Sequence, residues 1–209
     1  MSDAQTRHIA LAAAGAIVLL VGASALAVWR PWAPADRYAA CRTARVAGTA
    51  AIGGPFTLTD QTGATVTEAD VITGPTLVYF GYTYCPDVCP VDSSRNAEAV
   101  DLLAERGLDV RPVFITIDPA RDTPDVVADW TGFMHERMIG LTGTPEQIAA
   151  AARAYGAYYA PRGTGDDYLM DHSSFTYLMV PGEGFLEIFR SDIGAAAMAD
   201  RVACFLAAA

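Results

Sequence analysis

The chain has 209 residues, enough for one compact domain with an appendage. It carries 14 basic against 24 acidic residues, a net charge of −10, which argues against nucleic acid as a partner because phosphate binding needs a basic face. Every basic residue is Arg and none is Lys, so Schiff-base chemistry and the lysine clamp of a P-loop are excluded.

Residues 1–8 form a short tail. Ile9 to Trp29 then runs without a charged side chain, between Arg7 and His8 on one side and Arg30 on the other. A helix of that length covers about 30 Å, the thickness of a bilayer core. Residues 9–29 are therefore predicted to be a transmembrane anchor, with Trp29 and Trp32 at the interface. A cleaved signal peptide is the rival reading, with small-residue sites at Ala23-Ser24-Ala25 or Ala25-Leu26-Ala27. The apolar run exceeds the roughly 7–15 residues of a signal-peptide core, which favours the anchor. Arginine counting, with Arg7 before the run and Arg30, Arg37, Arg42 and Arg45 after it, points the rest of the chain inward, but long domains override such counts.

Residues 30–51 are rich in Ala, Pro and Gly without a clear period and read as a juxtamembrane stalk. Residues 52–209 form the predicted domain. Phe56 to Asp60 and Ala64 to Thr67 alternate about a Gln61-Thr62-Gly63 turn, a hairpin signal. Thr76 to Phe80 is a continuous apolar run after the Gly74-Pro75 breaker and fits a buried central strand. Pro90 to Arg106 reads as a helix with Val91, Ala97, Val100, Leu103 and Ala104 on its apolar face, stopped by Gly107. Val110 to Ile117 is the next strand.

Thr123-Pro124 starts a helix that runs to about His135, with Thr as N-cap and Pro at the first helical position. A short strand is expected at Met138 to Leu141. Thr144-Pro145-Glu146-Gln147 repeats the start signal, Gln147 completing a capping box, and the helix continues to Tyr155. Phe175 to Val180 and Phe185 to Phe189 are strands about a Pro181-Gly182 turn, and Gly194 to Leu206 is a final helix. Strands alternating with helices predict an α/β fold with helices on both faces of a mixed sheet.

Cys85-Pro86-Asp87-Val88-Cys89-Pro90 follows the buried Thr76 strand and opens a helix, the place where α/β folds put their chemistry. Residues before proline avoid the helical region, so the expectation is a tight loop, with Cys89 as N-cap and Pro90 as first helical residue. The helix N-terminus would then favour a thiolate on Cys89. Two thiolates with one imidazole suit Cu(I), whereas structural zinc wants a fourth ligand. Closure of a disulfide is the other chemistry open to the pair. A peroxidatic enzyme would want a single low-pKa cysteine beside Arg and Thr, and that pattern is not evident.

His172 lies in Asp171-His172-Ser173-Ser174, a loop expected just before the Phe175 strand, where a carboxylate or carbonyl would fix its tautomer. His8 is in the tail, and His135 ends a helix, where helix electrostatics explain it.

Cys-Pro-Asp-Val-Cys-Pro after Gly81-Tyr82-Thr83, then Ile117-Asp118-Pro119-Ala120-Arg121-Asp122-Thr123-Pro124, then Asp171-His172-Ser173 with Tyr177-Leu178, resembles the Sco/SenC copper chaperones. The resemblance spans about residues 52–206. It implies a thioredoxin-like domain on an N-terminal transmembrane helix, with copper, Cu(I) or Cu(II), bound by Cys85, Cys89 and His172. It implies delivery to the binuclear copper A centre of cytochrome c oxidase subunit II, with a periplasmic copper donor as a further partner. The alternative is a thiol-disulfide oxidoreductase, in which Cys85 and Cys89 reduce that subunit's copper-ligand cysteines. It also implies a single-pass protein with its N-terminus inside and its domain on the periplasmic or intermembrane-space side, and the short N-tail, without an Arg-rich amphipathic stretch, favours the bacterial inner membrane and the periplasm.

Asp118 and the Arg121-Asp122 pair match a motif of that family and are expected in a surface loop that positions the site or meets the partner. Asp87 and Asp171 are expected in the same role beside the ligands. Cys41 and Cys204 fall outside the family pattern. Their place at the two ends of the soluble part predicts a disulfide between them, because domain ends often lie close together.

Overall fold

The computed structural model describes residues 3–28, 36–42 and 52–209, and the chain divides into two compact units, Met1–Arg37 and Tyr38–Ala209. The first unit contains helix α1, Asp3–Val28, of 26 residues. Among the described residues no helix is long and apolar enough to cross a membrane. Several side chains of α1, including those of Ile9, Ala10, Ala12 and Ala23, fall outside the described set, as do Trp29, Trp32 and most of the stalk.

The second unit begins with the hairpin β1, Thr57–Asp60, and β2, Thr65–Thr67. Asp60 closes its turn by accepting from the Thr62 and Ala64 amides and the Thr62 hydroxyl. A short helix, α2, Glu68–Val71, follows, nucleated by a Thr67–Asp70 capping box that the sequence reading passes over. Then come β3, Thr76–Gly81, α3, Val88–Ala104, and β4, Arg111–Thr116. Helix α4, Pro124–Met134, starts where Thr123 caps the Val126 amide, and β5, Ile139–Thr142, follows. Helix α5, Pro145–Tyr155, carries the expected Thr144–Gln147 capping box and ends on Gly156 in the left-handed conformation, φ 64°. The chain closes with β6, Tyr159–Arg162, β7, Leu169–His172, β8, Phe175–Val180, β9, Gly184–Arg190, and α6, Ala195–Ala208.

Seven strands form one mixed sheet in the order β2-β1-β5-β4-β3-β8-β9. Strand β3 is central. It runs parallel to β4, with Tyr79 opposite Phe114, and antiparallel to β8, with Tyr79 opposite Thr176. All six of its residues are buried, which is why it reads as an unbroken apolar run. Helices α3 and α6 share one buried cluster with Leu77, Leu178 and Phe189. Val127 of α4 and Ile148 of α5 share another with Phe80, Phe114 and Tyr177.

Two sequence expectations need correction. Residues 159–172 form a separate two-stranded sheet, β6 with β7, rather than a loop, so His172 ends a strand. Pro161, Arg162 and Asp171 break the apolar alternation that would have marked these strands, which one pairing partner and partial exposure permit. The face of α3 is also misread: Val91 is 63% exposed and Ala104 is exposed, while Asp92, Ser93, Arg95 and Asn96 are buried.

Candidate metal centre

Cys85, Cys89 and His172 offer ligand atoms that all lie within 4.8 Å of one another, the one such cluster among the described residues. Both cysteines are free and buried. The Cys89 sulfur is 3.3 Å from His172 Nε2, and the Cys89 amide donates to the Cys85 sulfur at 3.4 Å. His172 Nδ1 faces the Ser173 carbonyl at 3.0 Å. A backbone carbonyl in that place accepts the ring's N–H and leaves Nε2 free for a metal.

The helix starts two residues earlier than the prolines imply. Asp87 is the N-cap of α3, so Cys89 is its second helical residue and Pro90 its third. Proline is tolerated there because the first four amides of a helix have no intrahelical acceptor. Cys89 thereby points inward from the first turn and is fully buried, while Cys85 remains in the turn before it. Gly81 makes room for this sulfur. A Cβ at that position would stand 2.8 Å from the Tyr79 ring, 3.0 Å from the Phe114 ring and 3.1 Å from the Cys89 sulfur.

The thiolate sits on the opposite cysteine from the one expected. Cys85 is pushed far below the usual thiol range because the Cys89 thiol donates to it, with His172 and the amides of Asp87 and Cys89 adding support against burial. Cys89 is pushed up, first by sharing its proton with Cys85 and then by burial. Both shifts favour a proton on Cys89 over one on Cys85. The helix amides stabilise Cys85, which lies just outside the N-terminus, better than they stabilise the buried Cys89 inside it.

The two carboxylates of the Asp118 to Asp122 loop are buried rather than on the surface, Asp118 at 3% exposed and Asp122 fully, while Ala120 between them is exposed. The Asp122 carboxylate accepts from the Thr83 amide at 3.0 Å, the Thr83 hydroxyl at 2.6 Å and the Thr116 hydroxyl at 2.5 Å. It thus ties the cysteine loop to the end of β4. Arg121 donates from Nε to Asp118 at 2.5 Å, and its guanidinium carbon lies 3.7 Å from the centre of the Tyr168 ring and 4.6 Å from that of Tyr84. Tyr168 also donates its hydroxyl to Asp118. These contacts join the cysteine loop, the β4–α4 segment and the β6–β7 hairpin. Their charges were legible in the sequence, but Tyr168 and the Thr83 grip were not.

Asp87 and Asp171 stand apart from the ligand atoms. Asp87 is exposed and caps α3 without a side-chain hydrogen bond, contributing its amide to Cys85. Asp171 pairs with Arg162 at 3.1 Å on the surface. A buried ion pair beneath the site also escaped the sequence reading. Arg95 bonds Asp92 at 2.8 Å, Thr176 at 3.0 Å and the Arg190 carbonyl at 3.2 Å, fastening α3 to β8 and β9. Cys41 and Cys204 are joined in a disulfide with their Cα atoms 5.6 Å apart.

The donor set fits a soft cation. Two sulfurs and one imidazole match Cu(I), and among the described residues no carboxylate completes the four ligands a structural zinc site would take.

A family model described as SCO1/SenC matches residues 44–207. The chain is 58% identical over 205 residues to Protein SenC of Rhodobacter capsulatus, covering 98% of this chain and 92% of that protein. It is 40% identical over 142 residues to the human mitochondrial protein SCO1 homolog, covering 66% of this chain and 47% of that one. Among solved structures, Arabidopsis thaliana ScoI with copper bound superposes with a TM-score of 0.71 at 41% identity, covering 75% of this chain and 99% of that chain. Bradyrhizobium japonicum ScoI with copper bound gives 0.67 at 36% identity, covering 73% and 98%. The expected thioredoxin-like α/β fold is shared with these structures.

Proposed function

We propose that this chain, which belongs to the SCO1/SenC family, is a copper chaperone in cytochrome c oxidase assembly that binds copper through Cys85, Cys89 and His172. The observation that carries the reading is the convergence of those three side chains, whose ligand atoms all lie within 4.8 Å of one another. The copper-bound relatives from Arabidopsis and Bradyrhizobium support it. Copper is the cargo, and the receiving site in this reading is the binuclear copper centre of subunit II. A periplasmic protein would supply the ion.

The residues act as follows. Cys85, in the turn before α3, presents a thiolate. Cys89 gives up the shared proton when the metal engages both sulfurs. His172, with Nδ1 committed to Ser173, presents Nε2. Two sulfurs and one nitrogen leave room for an incoming ligand from the acceptor, so the ion can pass by exchange of ligands one at a time.

In the same reading α1 anchors the domain in a bacterial inner membrane, N-terminus inside and domain in the periplasm. The uncharged Ile9 to Trp29 run supports the anchor, and the Cys41–Cys204 disulfide suits an oxidising compartment. The second reading, thiol-disulfide exchange on the acceptor's cysteines, is favoured by the two sulfurs lying within one cluster, Cys85 being the attacking thiolate.

The test is His172→Ala, with copper stoichiometry and disulfide reductase activity measured separately. Cu(I) affinity is expected to fall about a hundredfold or more, the loss of one of three ligands, while reductase activity survives. Unchanged copper affinity would overturn the three-ligand site.

A further inference from the structure

His172 is the one ligand that lies in the small sheet, at the end of β7 and three residues before β8. Cys85 lies in the turn after β3 and Cys89 in the first turn of α3, whereas among the described residues the only strand partner of β7 is β6. Backbone pairing therefore holds His172 to the β6–β7 hairpin, not to the cysteines. The imidazole meets two tyrosines rooted in β3 and its end. The Tyr79 ring stands at 80° to it with centroids 6.4 Å apart, and the Tyr82 ring at 88° with centroids 5.9 Å apart. Both tyrosines are at most 2% exposed, so neither ring has space to swing away. Perpendicular aromatic contacts of this kind are attractive and directional.

The two hydroxyls differ. That of Tyr82 faces the Met170 amide on β7, a second link to the histidine's own strand. That of Tyr79 is buried near Cys89 and Asp92 but makes no hydrogen bond of normal geometry. At Tyr79, then, it is the ring that acts.

We propose that Tyr79 and Tyr82 are positioning residues whose rings hold the His172 imidazole in its metal-binding orientation before the ion arrives. The proposal rests on the three-ligand reading above. A preset ring spares copper binding the ordering of a side chain on a two-stranded hairpin, which is how preorganisation raises affinity.

The test uses the full-length protein, anaerobic Cu(I) competition against a chromophoric chelator, and the nitrogen hyperfine pattern of the Cu(II) form. Tyr82→Leu and Tyr79→Leu are each expected to lower Cu(I) affinity about tenfold, the upper end of one such contact. Tyr79→Phe is expected to restore what Tyr79→Leu loses. Either Leu variant made on His172→Ala is expected to cost nothing further, because a clamp has no role without the ring it holds. Additive losses in that cycle, or a failure of Tyr79→Phe to rescue, would overturn the clamp while leaving the three ligands standing. If His172→Ala alone left affinity unchanged, both readings would fall. Should one Leu variant prove unfolded by circular dichroism, the cycle is decided on the other.

Discussion

Removing the Cys41–Cys204 bridge tests how the domain is held at its two ends. The two cysteines are 163 positions apart, so the bridge closes a loop that spans nearly the whole domain. In the chain-entropy model a loop of that length removes about 17 cal/mol/K from the unfolded ensemble, or about 5 kcal/mol at 25 °C. The native side adds packing. Tyr38, three residues before Cys41, sets its ring 5.6 Å from that of Phe205 on α6, next to Cys204. These contacts survive when both cysteines become Ala, so the loss should come almost wholly from the unfolded chain. The expected result for Cys41→Ala/Cys204→Ala is a loss of about 4–5 kcal/mol in urea unfolding followed by far-UV circular dichroism. The melting temperature is expected to fall by about 10–20 °C for a domain of this size. The double variant is used because a lone thiol would exchange with Cys85 and Cys89. A loss under about 1 kcal/mol would refute the reasoning, as would four reactive thiols in the denatured, unreduced protein.

Copper loading at pH 7 to 8 is expected to release about one proton, because Cys85 is already ionised and only the Cys89 proton leaves. Affinity should then rise about tenfold per pH unit across that window, and calorimetry in buffers of different ionisation enthalpy would count the proton; release of two would show that Cys85 is protonated beforehand. Asp122→Asn replaces one of the two oxygens that accept three hydrogen bonds with an NH2 donor, and it should cost about 2–4 kcal/mol in denaturant unfolding and weaken copper binding by loosening the cysteine loop. Stability unchanged in that variant would mean that the loop holds itself. Gly81→Ala drives a methyl group against two core rings and the Cys89 sulfur, and it should cost about 1–3 kcal/mol and lower copper affinity, read by thermal unfolding and chelator competition.

Much of the site's content was legible as residue types. Cys85, Cys89 and His172 stood out because three motifs in order resemble one family, and Thr123, Thr144 and Gln147 announced their helices through local capping chemistry. Strands β3, β4 and β8 were legible because burial on both faces makes a strand read as an apolar run. The roles were less legible. The prolines argued for a non-helical Cys89, but first-turn amides have no intrahelical acceptor, so Pro90 is accommodated as the third residue of a helix that starts at Val88. Asp118 and Asp122 look like surface charges until Thr83, Thr116, Arg121 and Tyr168 arrive from other elements to satisfy them.

What the sequence by itself determined is the ligand chemistry, the order of most strands and helices, and where those helices begin. All of these depend on neighbours a few positions apart. What only the tertiary structure decided is which sulfur is the more acidic, how His172 comes within 3.3 Å of the Cys89 sulfur from 83 positions away, and how the aspartates are buried. Those outcomes depend on burial and on hydrogen-bond partners far away in the chain, and a linear pattern of residue types carries neither.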